Sequence, residues 1–393
     1  MGEINVLYSF PLRLGTPGTG MTGWYQVTGL LSQGANVTLY AGSCEKEIRG
    51  LSGMKETLVL GGIKLPIRPM GVRRACSLHD WIVSKVIERN HDRIDIVHCW
   101  PAGALQTLRT AKKFGVKTVL ERLSAHTRYV YEVTRRECEK LGMSLTKTHY
   151  AAYNEKTLIR EEAEFKLANQ LLCPSEFVVK TFLDKGFHEE QLARHRYGYD
   201  PSVFQIGDLR PTGRDKPIFT IAFVGQCSPL KGLHFALKAW VESSASEKGR
   251  FYICGSFVPG YKELLEQYLV HPSVEYLGFV REVAKVMYRS DVLILPSLAE
   301  GSALVTYEAR ACGCVLLVSD AAGAHVKHMY DALVHKVGDT DSLREHIDML
   351  ALNRDFYWTL KKNSLAGLSQ LTWEKAAEIL VNIYRETLRS NSG

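Results

Sequence analysis

The sequence predicts an α/β protein of two tandem Rossmann-like, doubly wound domains facing across a cleft. Three observations carry that expectation. Short apolar runs alternate with helical stretches of about ten residues through both halves, the signature of βαβ units and parallel sheets. The alternation stops at Gly207–Pro217 (GDLRPTGRDKP), a stretch rich in Gly, Pro and charge, and then restarts. Finally, 393 residues exceed the size at which a single core keeps growing. The expected organisation is an N-terminal domain over 1–206, a linker over 207–217, a C-terminal domain over 218–372, and a last helix over 373–393 that crosses back to the first domain.

In chain order, Ile4–Phe10 reads as a buried strand, Trp24–Gln33 as a helix and Asn36–Tyr40 as a second strand. Ile94–Cys99 and Val116–Leu120 are strands with a helix, Ala104–Phe114, between them. Tyr129–Lys166 is long, charged and helical in pattern, and Gln170–Cys173 leads to Ser175, placed to cap a helix running to Asp184. After the linker, strands are expected at Phe219–Val224, Arg250–Cys254, Val274–Leu277, Val292–Pro296 and Val315–Ser319. Helices are expected at Leu233–Glu242, Tyr261–Tyr268, Leu304–Ala311, Ser342–Leu350 and Glu374–Leu388.

Composition narrows the setting. The hydrophobic share of 46% and charged share of 23% suit an ordinary folded chain. The N-terminal MGEINVLYSF has no basic segment followed by an apolar one, and no run of about 18 apolar residues occurs, so secretion and membrane spanning are not expected. Nine scattered cysteines without C-x-x-C read as buried thiols in a reducing cytoplasm. The net charge of +7 sits wholly in residues 1–205, with 28 Lys+Arg against 21 Asp+Glu. Such a half suits an anionic partner, a membrane surface or a phosphorylated acceptor; a solvated face explains it as well. No dense basic block interleaved with aromatics points to nucleic acid.

Residues 18–23, GTGMTG, spell G-x-G-x-x-G. A dinucleotide fingerprint must follow its strand at once and find an acid at the end of the next strand. With strands ending near Phe10 and Tyr40, neither condition is met, and the glycines read as a cleft-facing loop with free amides or as a plain connection.

Leu295–Gly323, LPSLAEGSALVTYEARACGCVLLVSDAAG, carries the most chemistry. A buried strand ends at Pro296, a loop bears Glu300, Gly301 and Ser302, and a helix bears Glu308. Carboxylates so spaced suit two hydroxyl clusters of one long ligand, and free amides at Ser302, Ala303 and Leu304 suit phosphate oxygens. A capping acid and an unrelated helix-surface glutamate would give the same letters.

EGSALVTYEARACGCVLLVSD resembles the E-x7-E segment of the retaining GT-B glycosyltransferases, family 4. PSEFVVKTFLDKGF with YGYDPSVF, FTIAFVGQCSPLKGLHFALKAW, and TWEKAAEILVNIYRETL resemble three further segments of that family, in order. The resemblance implies a GT-B fold and transfer of a hexose-type sugar from a nucleoside diphosphate donor, UDP- or GDP-linked, to an acceptor hydroxyl. The acceptor would be a sugar, a lipid-linked sugar or a small molecule, with no metal and no other cofactor. By position, Glu308 would hold the donor ribose, Glu300 would face the transferred sugar, and the amides of Gly301, Ser302 and Ala303 would hold its hydroxyls. Lys231 would contact the diphosphate from the loop that also carries Gly225 and Gln226. His126 would reach the transferred sugar, and Gly18 and Gly20 would line the acceptor side or approach the phosphate.

The chain departs from the family at Gln226, where an arginine is usual, at Ser302-Ala303, at Cys314 and at Ala324-His325. A donor-binding protein with weak or no turnover, and a GT-B epimerase or phosphorylase, are the alternatives. Asp339-Thr340-Asp341 reads as helix capping rather than as a metal-binding D-x-D. His325 and His328 lack further ligands.

Overall fold

A computed structural model describes residues 3–205 and 218–390; the expected linker, 207–217, lies outside the described residues. Apolar runs too continuous for a one-faced sheet become strands buried on both faces. In the N-terminal domain these are β1 (Asn5–Leu14), β2 (Asn36–Cys44), β3 (Gly53–Glu56), a small hairpin of β4 (Val59–Leu60) and β5 (Ile63–Lys64), β6 (Ile96–Cys99), β7 (Lys117–Glu121), β8 (Gln170–Cys173) and β9 (Leu192–Arg194). The main sheet is parallel, ordered β3-β2-β1-β6-β7-β8-β9.

The C-terminal domain repeats the plan with β10 (Thr220–Val224), β11 (Arg250–Cys254), β12 (Val274–Gly278), β13 (Val292–Leu295), β14 (Val315–Ser319) and β15 (Ala332–His335), parallel in the order β12-β11-β10-β13-β14-β15. The strand order reverses beside β1 and beside β10, and the loops leaving those switch points open toward ligands in such sheets.

Several expected boundaries move. Pro11 marks no strand end: β1 shifts register between Phe10 and Arg13 and continues to Leu14, a bulge that accommodates a residue without an N–H. Gly42 on β2 meets that bulge, since an added Cβ would lie 2.5 Å from Leu12 O. The first helix begins at Thr19, and β2 runs on to Cys44. Both sequence arguments against a dinucleotide fingerprint therefore weaken. In the structure both Glu45 oxygens bond Lys64 Nζ, at 2.8 and 2.7 Å.

Tyr129–Lys166 is not one helix but two, Thr127–Lys140 and Glu155–Leu167, joined by a loop over 141–154. Tyr261–Leu264 and Glu266–Leu269 likewise replace one expected helix. Helices Val72–Asn90 and Arg354–Ala366 were not foreseen.

The last helix, Trp373–Arg389, packs on the N-terminal domain. Leu380, Val381, Ile383 and Tyr384 join the core of β1, β2 and the first helix, and Trp373 stacks on Tyr25 at 4.9 Å. Tyr384 OH bonds His98 Nδ1 at 2.6 Å. Beneath it lies Glu121, fully buried, whose carboxylate accepts from Gln26 Nε2 at 2.7 Å and Tyr197 OH at 3.0 Å and meets His195 Nε2 at 3.0 Å. Burial alone would raise its pKa; the histidines and Gln26 outweigh burial and hold it below the usual carboxylate range.

Candidate functional site

β13 ends at Leu295, and from Pro296 the chain crosses the switch point as an irregular loop pinned at both ends. Leu298 N bonds Leu230 O at 2.8 Å, Glu300 N bonds Ala321 O at 2.9 Å, and the helix Leu304–Ala311 follows. Gly301 presses against the other domain. Its carbonyl accepts from Ser175 Oγ at 2.5 Å, and a Cβ added to it would lie 2.1 Å from Leu123 O. Ala303 N reaches Ala322 O at 3.4 Å. Ser302 is buried, its hydroxyl 2.6 Å from Tyr307 OH, which accepts in turn from Tyr197 N at 3.3 Å.

Lys231 closes the turn Pro229–Lys231 after β10, and its ammonium forms an ion pair with Glu300. Burial would push the lysine pKa down, but the Glu300 carboxylate, with help from Tyr150, more than offsets this and holds it above the ordinary value. The structure thus brings Glu300 and Lys231 together at the lip of the C-terminal sheet. Gln226, on the same loop after Gly225, bonds His149 Nε2 of the N-terminal domain at 2.7 Å.

Glu308 lies on the helix, half-buried, among partners of another kind. Its carboxylate takes part in no hydrogen bond or ion pair among the described residues, and burial raises its pKa to about 7. It is close enough to Tyr25, on the first helix of the N-terminal domain, to raise that phenol's pKa, secondary to burial and to Asp200, which Tyr25 OH bonds at 2.7 Å. Each acid thus has a tyrosine of the opposite domain within electrostatic reach, Tyr150 for Glu300 and Tyr25 for Glu308.

His126 is placed elsewhere. It caps the helix Thr127–Lys140, its ring accepting from Arg128 N at 3.2 Å, and packs against Phe165, Phe182 and Phe187. It is 2% exposed, and burial, aided by Arg122, pushes its pKa to about 3. A neutral ring inside the N-terminal core does not reach the cleft, so the expected contact with a transferred sugar is withdrawn. Gly20 is also a packing residue, since an added Cβ would lie 2.5 Å from both Arg13 O and Thr16 Oγ1. Gly18, with φ +81° and nothing within 4 Å of a Cβ, does face open space.

The domains meet through further groups that the sequence did not reveal. His234 Nε2 lies 3.1 Å from Glu137 Oε1, and Ala125, Val130 and Ala151 pack with Leu230, Leu298 and Ala299. Asp339 and His328 have local partners, and His325 bonds across to the N-terminal domain. Asp339 accepts from Ser342 N at 3.0 Å as a helix cap, His325 Nε2 bonds Pro174 O at 3.0 Å, and His328 Nδ1 accepts from Val334 N at 2.9 Å. Among the described residues no three metal-binding side chains gather. All nine cysteines are free thiols, and among the described residues no helix is long and apolar enough to cross a membrane.

Two parallel α/β sheets that face one another, closed by a returning C-terminal helix, make this a GT-B fold. Residues 218–353 match the family model described as glycosyl transferases group 1. Over 161 residues, 40% of this chain, it is 26% identical to the Campylobacter jejuni N,N'-diacetylbacillosaminyl-diphospho-undecaprenol alpha-1,3-N-acetylgalactosaminyltransferase. Over 64% of this chain it is 25% identical to an Escherichia coli UDP-Gal:alpha-D-GlcNAc-diphosphoundecaprenol alpha-1,3-galactosyltransferase. The chain spans about half the length of the curated relatives it matches, 43% of the first and 65% of the second. Among solved structures, Anabaena HepE in complex with UDP superposes with a TM-score of 0.67 over 98% of this chain and 100% of its own, at 16% identity.

Proposed function

We propose that the chain is a retaining, metal-independent glycosyltransferase of family 4 type, moving a hexose-type sugar from a UDP- or GDP-sugar to the hydroxyl of a lipid-linked or sugar acceptor. The observation that carries this reading is the contrast between the two acids. Glu300 is held by Lys231, whereas Glu308 is a desolvated carboxylate without a donor among the described residues, which vicinal ribose hydroxyls would supply.

In the reaction the bond between the anomeric carbon and the diphosphate oxygen breaks, and one from that carbon to the acceptor oxygen forms on the same face. The acceptor proton passes to the departing phosphate. Lys231 stabilises the charge growing there, and Glu300, orienting that ammonium, faces the sugar. The amides of Gly301 and Ser302 supply further donors. Closure of the N-terminal domain over Gly301 excludes water, which would otherwise take the sugar.

Incubation with a panel of UDP- and GDP-sugars, with and without undecaprenyl-diphosphate-linked sugar, should give acceptor-dependent nucleotide release, undiminished by EDTA, with the product anomer matching the donor by NMR. Inversion would overturn the retaining assignment, EDTA sensitivity the metal-free one. Tight donor binding without release would leave a binding protein.

A lipid-linked acceptor calls for a membrane-facing rim on the N-terminal domain, in a protein that would work at the cytoplasmic face. The hairpin of β4 and β5 follows the C-terminal end of β3, on the sheet edge that borders the cleft, and exposes Leu60 and Ile63 by 75% and 73%. Lys55, Arg73 and Arg74 are exposed nearby in the chain, with Val72 and Trp81. Apolar tips flanked by cations suit an anionic bilayer. The protein should co-sediment with phosphatidylglycerol vesicles and not with neutral ones, and Leu60→Asp with Ile63→Asp should release it; undiminished sedimentation of that variant would move the contact elsewhere.

A further inference from the structure

The donor reading leaves a charge problem. Lys231 already faces Glu300, so an arriving diphosphate finds that cation partly neutralised, and its loop neighbour Gln226 is uncharged. The N-terminal domain brings a donor to this loop. His149 Nε2 lies 2.7 Å from Gln226 Oε1.

The ring is fixed rather than loosely laid across the gap. Ala151 N donates to Nδ1 at 3.2 Å, so the neutral ring carries its proton on Nε2, directed at the Gln226 side chain. Ala151 is itself buried with Leu230, Leu298 and Ala299, which ties the histidine's anchor to the C-terminal domain. On its other side the imidazole stacks on Tyr150, centroids 4.6 Å apart, and the Tyr150 phenol is electrostatically coupled to Lys231 and Glu300. His149 and Tyr150 therefore cover the turn that bears Lys231, and do so from the opposite domain.

We propose that His149 is a donor-phosphate ligand delivered by the N-terminal domain, its Nε2–H turning from the Gln226 amide oxygen to a diphosphate oxygen when donor enters. Gln226 then offers its own amide N–H in place of the freed acceptor. The inference rests on the donor-site reading above, and it makes the phosphate subsite complete only while the two domains are closed. His149 contacts the leaving group as a hydrogen-bond donor, not as a proton-transfer group.

The test compares uridine and guanosine with their diphosphates by calorimetry, in the wild type, in His149→Ala, and in His149→Ala with Gln226→Arg. Because His149 would touch phosphate alone, His149→Ala should leave nucleoside affinity unchanged and weaken diphosphate affinity roughly 10-fold, the effect of losing one hydrogen bond to a charged group. Gln226→Arg, placing a cation on the same loop, should restore it; a merely structural histidine would not be rescued that way. Unchanged diphosphate affinity in His149→Ala, a parallel loss for nucleoside and diphosphate, or no rescue by Gln226→Arg would overturn the inference while leaving the donor site in place. A wild type that binds neither nucleoside would overturn the donor reading itself, and this inference with it.

Discussion

Glu308→Gln is expected to weaken nucleoside diphosphate binding by roughly 100-fold, the loss of two hydrogen bonds to an ionised carboxylate. It should also abolish a pH dependence expected of the wild type. In the free protein burial holds the Glu308 pKa near 7, so below that pH the group is protonated. A ribose diol donates to the ionised form, so binding must drive off the proton in acid and gains nothing further once the group is already charged. Wild-type affinity for uridine or guanosine, which carry no titrating phosphate, should therefore rise with pH up to about 7 and level off above it, and the Gln variant should lack that rise. Stability runs the other way. A carboxyl whose folded pKa is raised contributes most below the unfolded value and loses that contribution as pH rises through the folded one. Thermal melts should accordingly show the variant more stable than the wild type at pH 8 and little changed at pH 4. Calorimetric titration across pH 5–8 checks the binding half, and an affinity unchanged by the substitution would remove Glu308 from the donor site.

The parts of this molecule legible in its sequence are those decided by local pattern. Val292–Leu295 and Val315–Ser319 are uninterrupted apolar runs, and a strand buried on both faces is what such a run forms inside an α/β sheet. The long stretch after Glu45 went unread because the helix Val72–Asn90 mixes charge into its apolar face and follows a hairpin only two residues long in each strand. Pro11 misled because a bulge, which needs the neighbouring strand to exist, turns a strand-breaking residue into a tolerated one. The E-x7-E segment located Glu300 and Glu308, yet nothing local could assign His126. Its loop position fits a cleft residue, and only the three phenylalanines drawn from distant helices and loops show that the ring faces the core. Tyr25, His149 and Tyr150 were invisible for the same reason. Their relation to the acids and to Gln226 arises when two separately folded sheets dock, and no periodicity records that.

The docking itself makes the second large prediction. Gly301 sits where the two domains touch, and a methyl there would overlap backbone, Leu123 O at 2.1 Å, Leu123 C at 2.5 Å and Ser124 N at 2.9 Å. Leu123 and Ser124 lie on the bend that follows β7, and their backbone atoms cannot swing aside as a flexible side chain would, so relief is expected from separating the domains. Gly301→Ala should therefore hold the cleft open while leaving each domain folded. Nucleoside affinity, assigned above to Glu308, should change less than 3-fold on that account, whereas transfer, assigned to Lys231, Glu300 and a water-free gap together, should fall by roughly 100-fold or more. Small-angle scattering should report a larger radius of gyration than in the wild type, and the small amount of turnover left should shift from acceptor to water. If the variant transfers sugar at the wild-type rate, closure over Gly301 is not part of the reaction. A matched loss of nucleoside affinity and turnover would instead place the defect in the fold of the Glu300–Glu308 segment.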